Sequence, residues 1–140
     1  MFVDVEKLLY GSPAIDCAHH TLVSSTLWDL EQPTILTRPA ILDFHRRYLA
    51  LLPPELARAL IPWLLPLRRL TFLRTLTWAM RWRALFSSAA PSSPAEQAHL
   101  EKLSERLGRI LAPETIAQAR SEWSRVDRLG PPFDDRLICS

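Results

Sequence analysis

The acidic side chains near the amino terminus are the residues of this sequence whose types and spacing suit chemistry. Asp4 and Glu6 stand in a short run of β-favouring residues, FVDVE, and Asp16 lies beyond a Gly-Ser-Pro turn near the start of a predicted helix. A carboxylate at the end of a rigid strand supplies a hard oxygen ligand that suits a divalent cation such as Mg²⁺. The alternative interpretation of Asp4 is an acid that simply begins a turn. From the residues alone, the turn is the commoner outcome.

The order of these features resembles a segment of the aminoglycoside phosphotransferase and choline kinase superfamily, whose members share a protein-kinase-like fold. In that family a hydrophobic strand, an Asp-x-Glu-like element, a Gly-x-Pro turn and an Asp-Leu-Ala helix start follow the catalytic loop. The matching residues here are Asp4, Glu6, Gly11, Pro13, Asp16 and Ala18, and Cys17 stands where Leu is usual. The resemblance continues more loosely to about Trp82. It implies a mainly α fold, equivalent to the C-terminal helical lobe of a kinase with a short amino-terminal strand or hairpin.

The resemblance also implies roles for the three acids. In an intact enzyme of this kind, the γ-phosphoryl group of ATP passes to the hydroxyl group of a small-molecule acceptor. Asp4 would bind Mg²⁺, Asp4 and Glu6 would contact the Mg²⁺ and ATP cofactors, and Asp16 would support the catalytic loop by accepting backbone hydrogen bonds. Helices between residues 37 and 82 would shape the acceptor pocket. A solvated turn carboxylate explains Glu6 equally well, and interaction with the helix dipole explains Asp16 equally well.

Other parts of that family's machinery have no counterpart in the 140 residues. The Gly-rich loop, the ATP-anchoring lysine and the His-Gly-Asp…Asn catalytic loop all precede the matching segment in the family. We therefore expect the chain to correspond to the C-terminal part of such a phosphotransferase, without its N-lobe. Alone, it is expected not to bind Mg²⁺ and ATP and to have little or no activity. A mis-set coding start or a frameshift is an alternative explanation.

Two other catalytic arrangements are disfavoured by spacing. His19 and His20 diverge by about 100° on a helix, so only His20 shares a face with Asp16, and no HExxH motif or cysteine completes a metal site. Ser24 and Ser25 lack the Gly-x-Ser-x-Gly turn of a nucleophilic serine. We expect neither a histidine metal site nor a catalytic triad.

The middle of the chain is cationic. Residues 56–93 contain six arginines and no acid. Residues 1–55 contain four basic and seven acidic residues, and residues 94–140 contain seven basic and eight acidic residues. The alternative is therefore that the chain is a non-catalytic helical module, which binds a protein partner or an anionic surface through this block. The protein partner would be a second copy of the chain, giving a homodimer, or the missing lobe. The arginines are scattered around the predicted helix, which disfavours nucleic acid and membrane surfaces. We favour an interior helix whose arginines cover apolar surface and form ion pairs.

Proline, glycine and serine residues divide the chain. We predict a partial kinase-like lobe over 1–86, a linker over 87–93, a helical hairpin over 94–130 and a tail over 131–140. Within the lobe, helices are predicted from about 14 to 26 and from 37 to 52, and a third run, from 55 to 85, should be divided or kinked by Pro62 and Pro66. Ser93 and Glu96 form a capping-box pattern before the hairpin.

Composition places the chain among globular proteins, since 48% of its residues are hydrophobic and 23% are charged. Cys17 and Cys139 are too far apart in sequence to suggest a zinc motif or a disulfide framework, which fits a reduced, cytoplasmic protein. Acids among the first residues argue against a secretory signal. Five arginines between residues 60 and 86 argue against a membrane span.

Overall fold

The computed structural model of the protein describes residues 11–86 and 91–129, and these residues are mainly α-helical, as the sequence predicts. The helices are α1 (Pro13–Thr21), α2 (Val23–Thr26), α3 (Arg38–Ala50), α4 (Pro54–Phe86), α5 (Pro94–Leu111) and α6 (Pro113–Leu129). The predicted amino-terminal strand, residues 87–90 of the predicted linker and the predicted tail lie outside the described residues. None of the described helices has the length and apolar character needed to cross a membrane.

Three helices begin at a hydroxyl side chain that a proline follows within the first turn. Ser12, Thr37 and Ser93 accept hydrogen bonds from backbone N–H groups of α1, α3 and α5, at 3.4, 3.4 and 3.2 Å. Each bond satisfies one of the donors that a helix start leaves unpaired. Glu96 completes the cap of α5 by accepting the backbone N–H of Ser92 at 2.7 Å, one residue earlier than a capping box requires.

The predicted helix over residues 14–26 is divided in the structure. Leu22 has an extended backbone, with ψ 141°, and separates α1 from α2. The side chain of Leu22 is buried, next to those of Val23 and Leu27, in a cluster that also contains Phe72 of α4. A continuous helix would point Leu22 and Val23 about 100° apart, so the break allows both to enter one core. It also turns Ser24 and Ser25 toward α4.

The prolines of α4 are predicted to divide or kink the helix, and the structure shows no division, because one helix runs from residue 54 to residue 86. Pro62 and Pro66 are both exposed. Water can therefore bond the carbonyl groups that lose their backbone donors, which limits the cost of each proline. The expectation of a fully interior helix is wrong, since only one side of α4 is buried.

Three apolar clusters follow one another along the buried side of α4. The first joins α1 and α3 to the start of α4 through Ala14, Cys17, Leu49, Ala57, Leu60, Ile61 and Leu64. The second centres on Phe72, and the third joins α4 to α5 through Ala79, Leu107 and Ile110. The small residues Ala14 and Cys17 allow α1 to approach α4 closely. Burial of the Cys17 thiol raises the pKa of this group to about 11. The predicted hairpin thus packs directly on α4.

Arg68 and His45 are the two ionisable side chains among the polar residues buried in the described part of the chain. Arg68 of α4 donates hydrogen bonds to the side-chain hydroxyl of Thr21 and, at 3.0 Å, to its backbone carbonyl. Thr21 is the last residue of α1, where helical carbonyl groups lack an internal donor, so Arg68 caps the end of α1. His45 of α3 is also buried, and its Nδ1 lies 2.7 Å from the carbonyl oxygen of Ile41.

Stability should fall in mild acid because of His45. Burial, assisted by the nearby charge of Arg68, lowers the pKa of His45 below its ordinary value of 6.5, against the opposing hydrogen bond to Ile41. The unfolded chain then binds more protons than the folded chain as the pH falls through about 6.5, so the free energy of unfolding decreases there. Denaturant titrations at a series of pH values measure this slope. A His45→Asn variant, which keeps an N–H donor without titrating, should show a smaller slope. An unchanged slope in that variant would contradict the prediction.

Candidate functional site

An open cleft of about 500 Å³ lies where α1, α2, α4 and α5 meet. It is lined by His19, Ser24, Ser25, Trp28, Arg74, Thr75, Trp78 and Ile110. The break at Leu22 positions the two serines, and α4 supplies the arginine and one tryptophan from positions one helical turn apart. The volume is within the range of ordinary small-molecule sites.

The polar part of the cleft contains an arginine bonded to a histidine. Arg74 Nη2 lies 2.7 Å from His19 Nε2. Since a guanidinium group can only donate, His19 Nε2 is the acceptor, and this imidazole is neutral with its proton on Nδ1. Burial and the charge of Arg74 lower the pKa of His19, while Asp16 acts in the opposite direction. The planar guanidinium fork of Arg74 has further N–H groups that can bind an anion.

The apolar part of the cleft is a pair of tryptophans. The ring centroids of Trp28 and Trp78 lie 5.9 Å apart with the rings tilted by 52°. Arg106 of α5 holds Trp28 by donating from Nε to its backbone carbonyl at 3.0 Å and by placing its guanidinium group 5.0 Å from the ring centroid. Trp78 packs in turn against Trp82, at 6.2 Å. The two rings therefore contact each other and form one apolar side of the cleft, against which an apolar part of a ligand can pack.

One hydroxyl group in the cleft is buried without a partner. Ser24 is 3% exposed, and its Oγ makes no hydrogen bond with any described residue. A buried polar atom left in this state costs about 1–3 kcal/mol, and native structures contain few of them. Water does not reach this oxygen in the structure, so a ligand in the cleft would become its partner only after the Ser24 side chain rotated. Thr26, two residues further on, has a buried hydroxyl oxygen in the same state.

The residues chosen from the sequence do not form this site. Asp4 and Glu6 lie outside the described residues, so their assignment to Mg²⁺ and ATP stays a prediction. Asp16 is exposed in the first turn of α1 and does not line the cleft. His20 stacks on Phe44 of α3, with ring centroids 4.6 Å apart. Within residues 11–86 and 91–129, no three His, Cys, Asp or Glu side chains are grouped to hold a metal ion.

Sequence reasoning missed the contacts that create the cleft. Arg74 and Trp78 share one face of a helix, which the sequence shows, but the bond from Arg74 to His19 joins residues 55 positions apart. The sequence contains one weak indication of the cleft. His19 is an ionisable residue that directly follows Cys17 and Ala18, two small residues on the buried side of α1.

Comparisons with known proteins give no match for this chain, whether with protein-family models, with curated proteins or with solved structures. The cleft must therefore be interpreted from its own chemistry.

Proposed function

We propose that this protein binds a small organic anion in the cleft lined by Arg74, Trp28 and Trp78. The observation that carries the proposal is the guanidinium group of Arg74 in a cleft that is also lined by two tryptophans. A charged group beside aromatic side chains is a usual composition of a small-molecule site.

The ligand chemistry follows from these groups. A carboxylate can accept N–H bonds from the guanidinium group of Arg74, and rotation of the Ser24 side chain would bring its hydroxyl group to a ligand oxygen. The neutral state of His19 adds no second charge, so a singly charged anion suits the site better than a highly charged one. The tilted rings of Trp28 and Trp78 favour a flat apolar body. We therefore infer a small aromatic monocarboxylic acid.

A matched pair of probes tests this proposal. Naphthalene-2-carboxylate should bind the purified chain at least about tenfold more tightly than naphthalene-2-methanol, because a charge-assisted hydrogen bond contributes about 1.5–3 kcal/mol. Isothermal titration calorimetry measures both affinities. The Arg74→Gln variant should lose the preference for the acid and keep the affinity for the alcohol. Equal affinities of the unchanged protein for the two probes would contradict the proposal.

Two control variants separate binding from folding. Arg47→Gln removes an exposed arginine of α3 and should leave both affinities unchanged. Ser24→Ala removes the unpartnered hydroxyl, so it should not destabilise the free chain, yet it should weaken binding of the acid by about fivefold. A purely structural serine would give the opposite combination, with lower stability and unchanged affinity.

A second candidate is the function that the kinase-like resemblance implies. We propose that, if the chain belongs to a phosphotransferase, the cleft contacts the acceptor. Arg74, Thr75 and Trp78 support this candidate, since all three fall between residues 37 and 82, where the acceptor pocket is expected. Mg²⁺ and ATP would supply the phosphoryl group, with Asp4 as the metal ligand. Magnesium-dependent binding of ATP that is lost in Asp4→Asn is the observation that would favour this candidate over a role in binding alone.

A further inference from the structure

The outer side of α4 carries a long apolar stripe. Its positions alternate in steps of three and four residues and all are exposed: Leu56, Ala59, Trp63, Pro66, Leu70, Leu73, Thr77, Met80 and Ala84. The five largest side chains, Leu56, Trp63, Leu70, Leu73 and Met80, are 45, 58, 60, 53 and 56% exposed. From residue 56 to residue 80 the stripe extends about 36 Å at the rise of an α-helix. Such a surface on a chain of this size indicates a contact with something else. We call these nine residues the outer stripe.

Arginines border the outer stripe on both edges. Arg74 and Arg81 each directly follow a stripe residue, whereas Arg69 and Arg83 each directly precede one. In a pattern that repeats every seven residues, these two kinds of position lie on opposite sides of the apolar positions. In the sequence these arginines are spread around the predicted helix, but the structure separates them into two groups. Arg68 is buried, and Arg69, Arg74, Arg81 and Arg83 flank the exposed apolar surface. Glu55 directly precedes Leu56, but no acid occurs between residues 56 and 93, so the part of the stripe from Leu70 to Ala84 is complementary to negative charge.

The shape and charge of this surface decide between its potential occupants. A second copy of the chain would bring arginine edges against arginine edges, which is unfavourable. A helical protein partner needs regular apolar knobs, and the proline and threonine at positions 66 and 77 interrupt them. A lipid surface requires no such fit, because a single convex helix can lie in the headgroup region with its apolar side down. Tryptophan at the interface and arginines that extend to lipid phosphates are typical of this arrangement.

We propose that the outer stripe and its arginine edges dock the protein on an anionic membrane surface. The helix lies parallel to the bilayer, with Trp63, Leu70 and Leu73 among the headgroups and acyl chain ends. The arginines contact lipid phosphates or carboxylates along both sides. None of the nine residues of the outer stripe lines the cleft, and of the four arginines at its edges only Arg74 does.

Sedimentation with lipid vesicles tests the proposal. The full chain should bind vesicles of phosphatidylserine and phosphatidylcholine, bind vesicles of phosphatidylcholine alone at least about tenfold more weakly, and dissociate as salt is raised. The double variant Arg81→Gln, Arg83→Gln removes one charge from each edge and should weaken binding by about 25-fold, since each arginine near an anionic surface contributes about fivefold. The matched control Arg46→Gln, Arg47→Gln removes two exposed charges from α3 and should have little effect.

Apolar variants and fluorescence test the orientation. Leu70→Gln with Leu73→Gln should weaken binding by at least about tenfold, whereas Leu51→Gln, at a leucine that is 83% exposed outside the stripe, should not. Brominated lipids should quench tryptophan fluorescence, and Trp63→Phe should remove most of that quenching. Absence of binding to the mixed vesicles, or equal loss in the control variants, would overturn the proposal. So would light scattering that shows a dimer disrupted by the stripe variants without any vesicle binding, because the occupant would then be a second copy.

Discussion

Replacing Phe72 by alanine is expected to lower the free energy of unfolding by about 3–5 kcal/mol, as is usual for a fully buried phenylalanine. Phe72 is one of the largest fully buried side chains, and its cluster contains residues of α1, α2 and α6. The loss is large relative to the roughly 5–15 kcal/mol that stabilises a typical domain. Urea titration followed by far-UV circular dichroism measures it.

A second readout shows whether the same cluster supports the cleft. Val23 and Leu27 pack in the Phe72 cluster, immediately beside Ser24 and Trp28 of the cleft. Phe72→Ala should therefore also weaken binding of naphthalene-2-carboxylate under conditions where the variant is still folded. Phe72→Leu retains most of the apolar volume and should have a much smaller effect on both measurements. A loss below about 1 kcal/mol in Phe72→Ala would show that this region is not packed as described.

Local patterns in the sequence were sufficient to predict most of the helices. The starts of α1, α3 and α5 were predictable because a serine or threonine followed by proline satisfies the first helical N–H groups in any tertiary context. The mainly α fold follows from these starts and from apolar residues recurring at intervals of three and four. These signals depend only on residues within one or two turns of each other.

Features that depend on distant residues were not predictable in the same way. The break at Leu22 has no glycine or proline to mark it, and it occurs because Leu22 and Val23 enter a core completed by Phe72, 50 positions along the chain from Leu22. The exposure of one side of α4 is similar, since its apolar residues occur on every side and only packing decides which are buried. The candidate site was the least predictable feature, because it depends on contact between His19 and Arg74, which are 55 positions apart in the sequence.

The two surfaces of α4 have different proposed roles, since the cleft binds a small anion and the outer stripe docks on a membrane. Arg74 is the one residue that belongs to both, since it lines the cleft and borders the stripe. Anionic lipids that contact Arg74 would therefore compete with an anionic ligand for the same guanidinium group. Vesicles that contain phosphatidylserine should therefore weaken the apparent affinity of the protein for naphthalene-2-carboxylate.

Replacing Arg68 by methionine is expected to lower the free energy of unfolding by about 2–3 kcal/mol, even though the substitution removes a buried charge. Removing a buried charge can stabilise a protein when an apolar side chain replaces the whole pair. Here the carbonyl group of Thr21 remains, buried at the end of α1, and it loses the donor that lies 3.0 Å away. An unsatisfied buried acceptor costs about 1–3 kcal/mol, and the hydroxyl group of Thr21 loses a partner as well. Chemical denaturation measures the loss.

Two further variants show which property of Arg68 matters. Arg68→Lys keeps the charge but replaces a planar fork by a single ammonium group, so it should recover only part of the stability. The charge itself has a separate readout, because it helps to lower the pKa of His45. In Arg68→Met the pKa of His45 should rise, whereas Arg68→Lys should leave it lowered, as an NMR titration of the imidazole would show. If the methionine variant were as stable as the unchanged protein, the desolvation cost of the guanidinium group would equal the value of its bonds to α1, and Arg68 would not be what fixes the end of that helix.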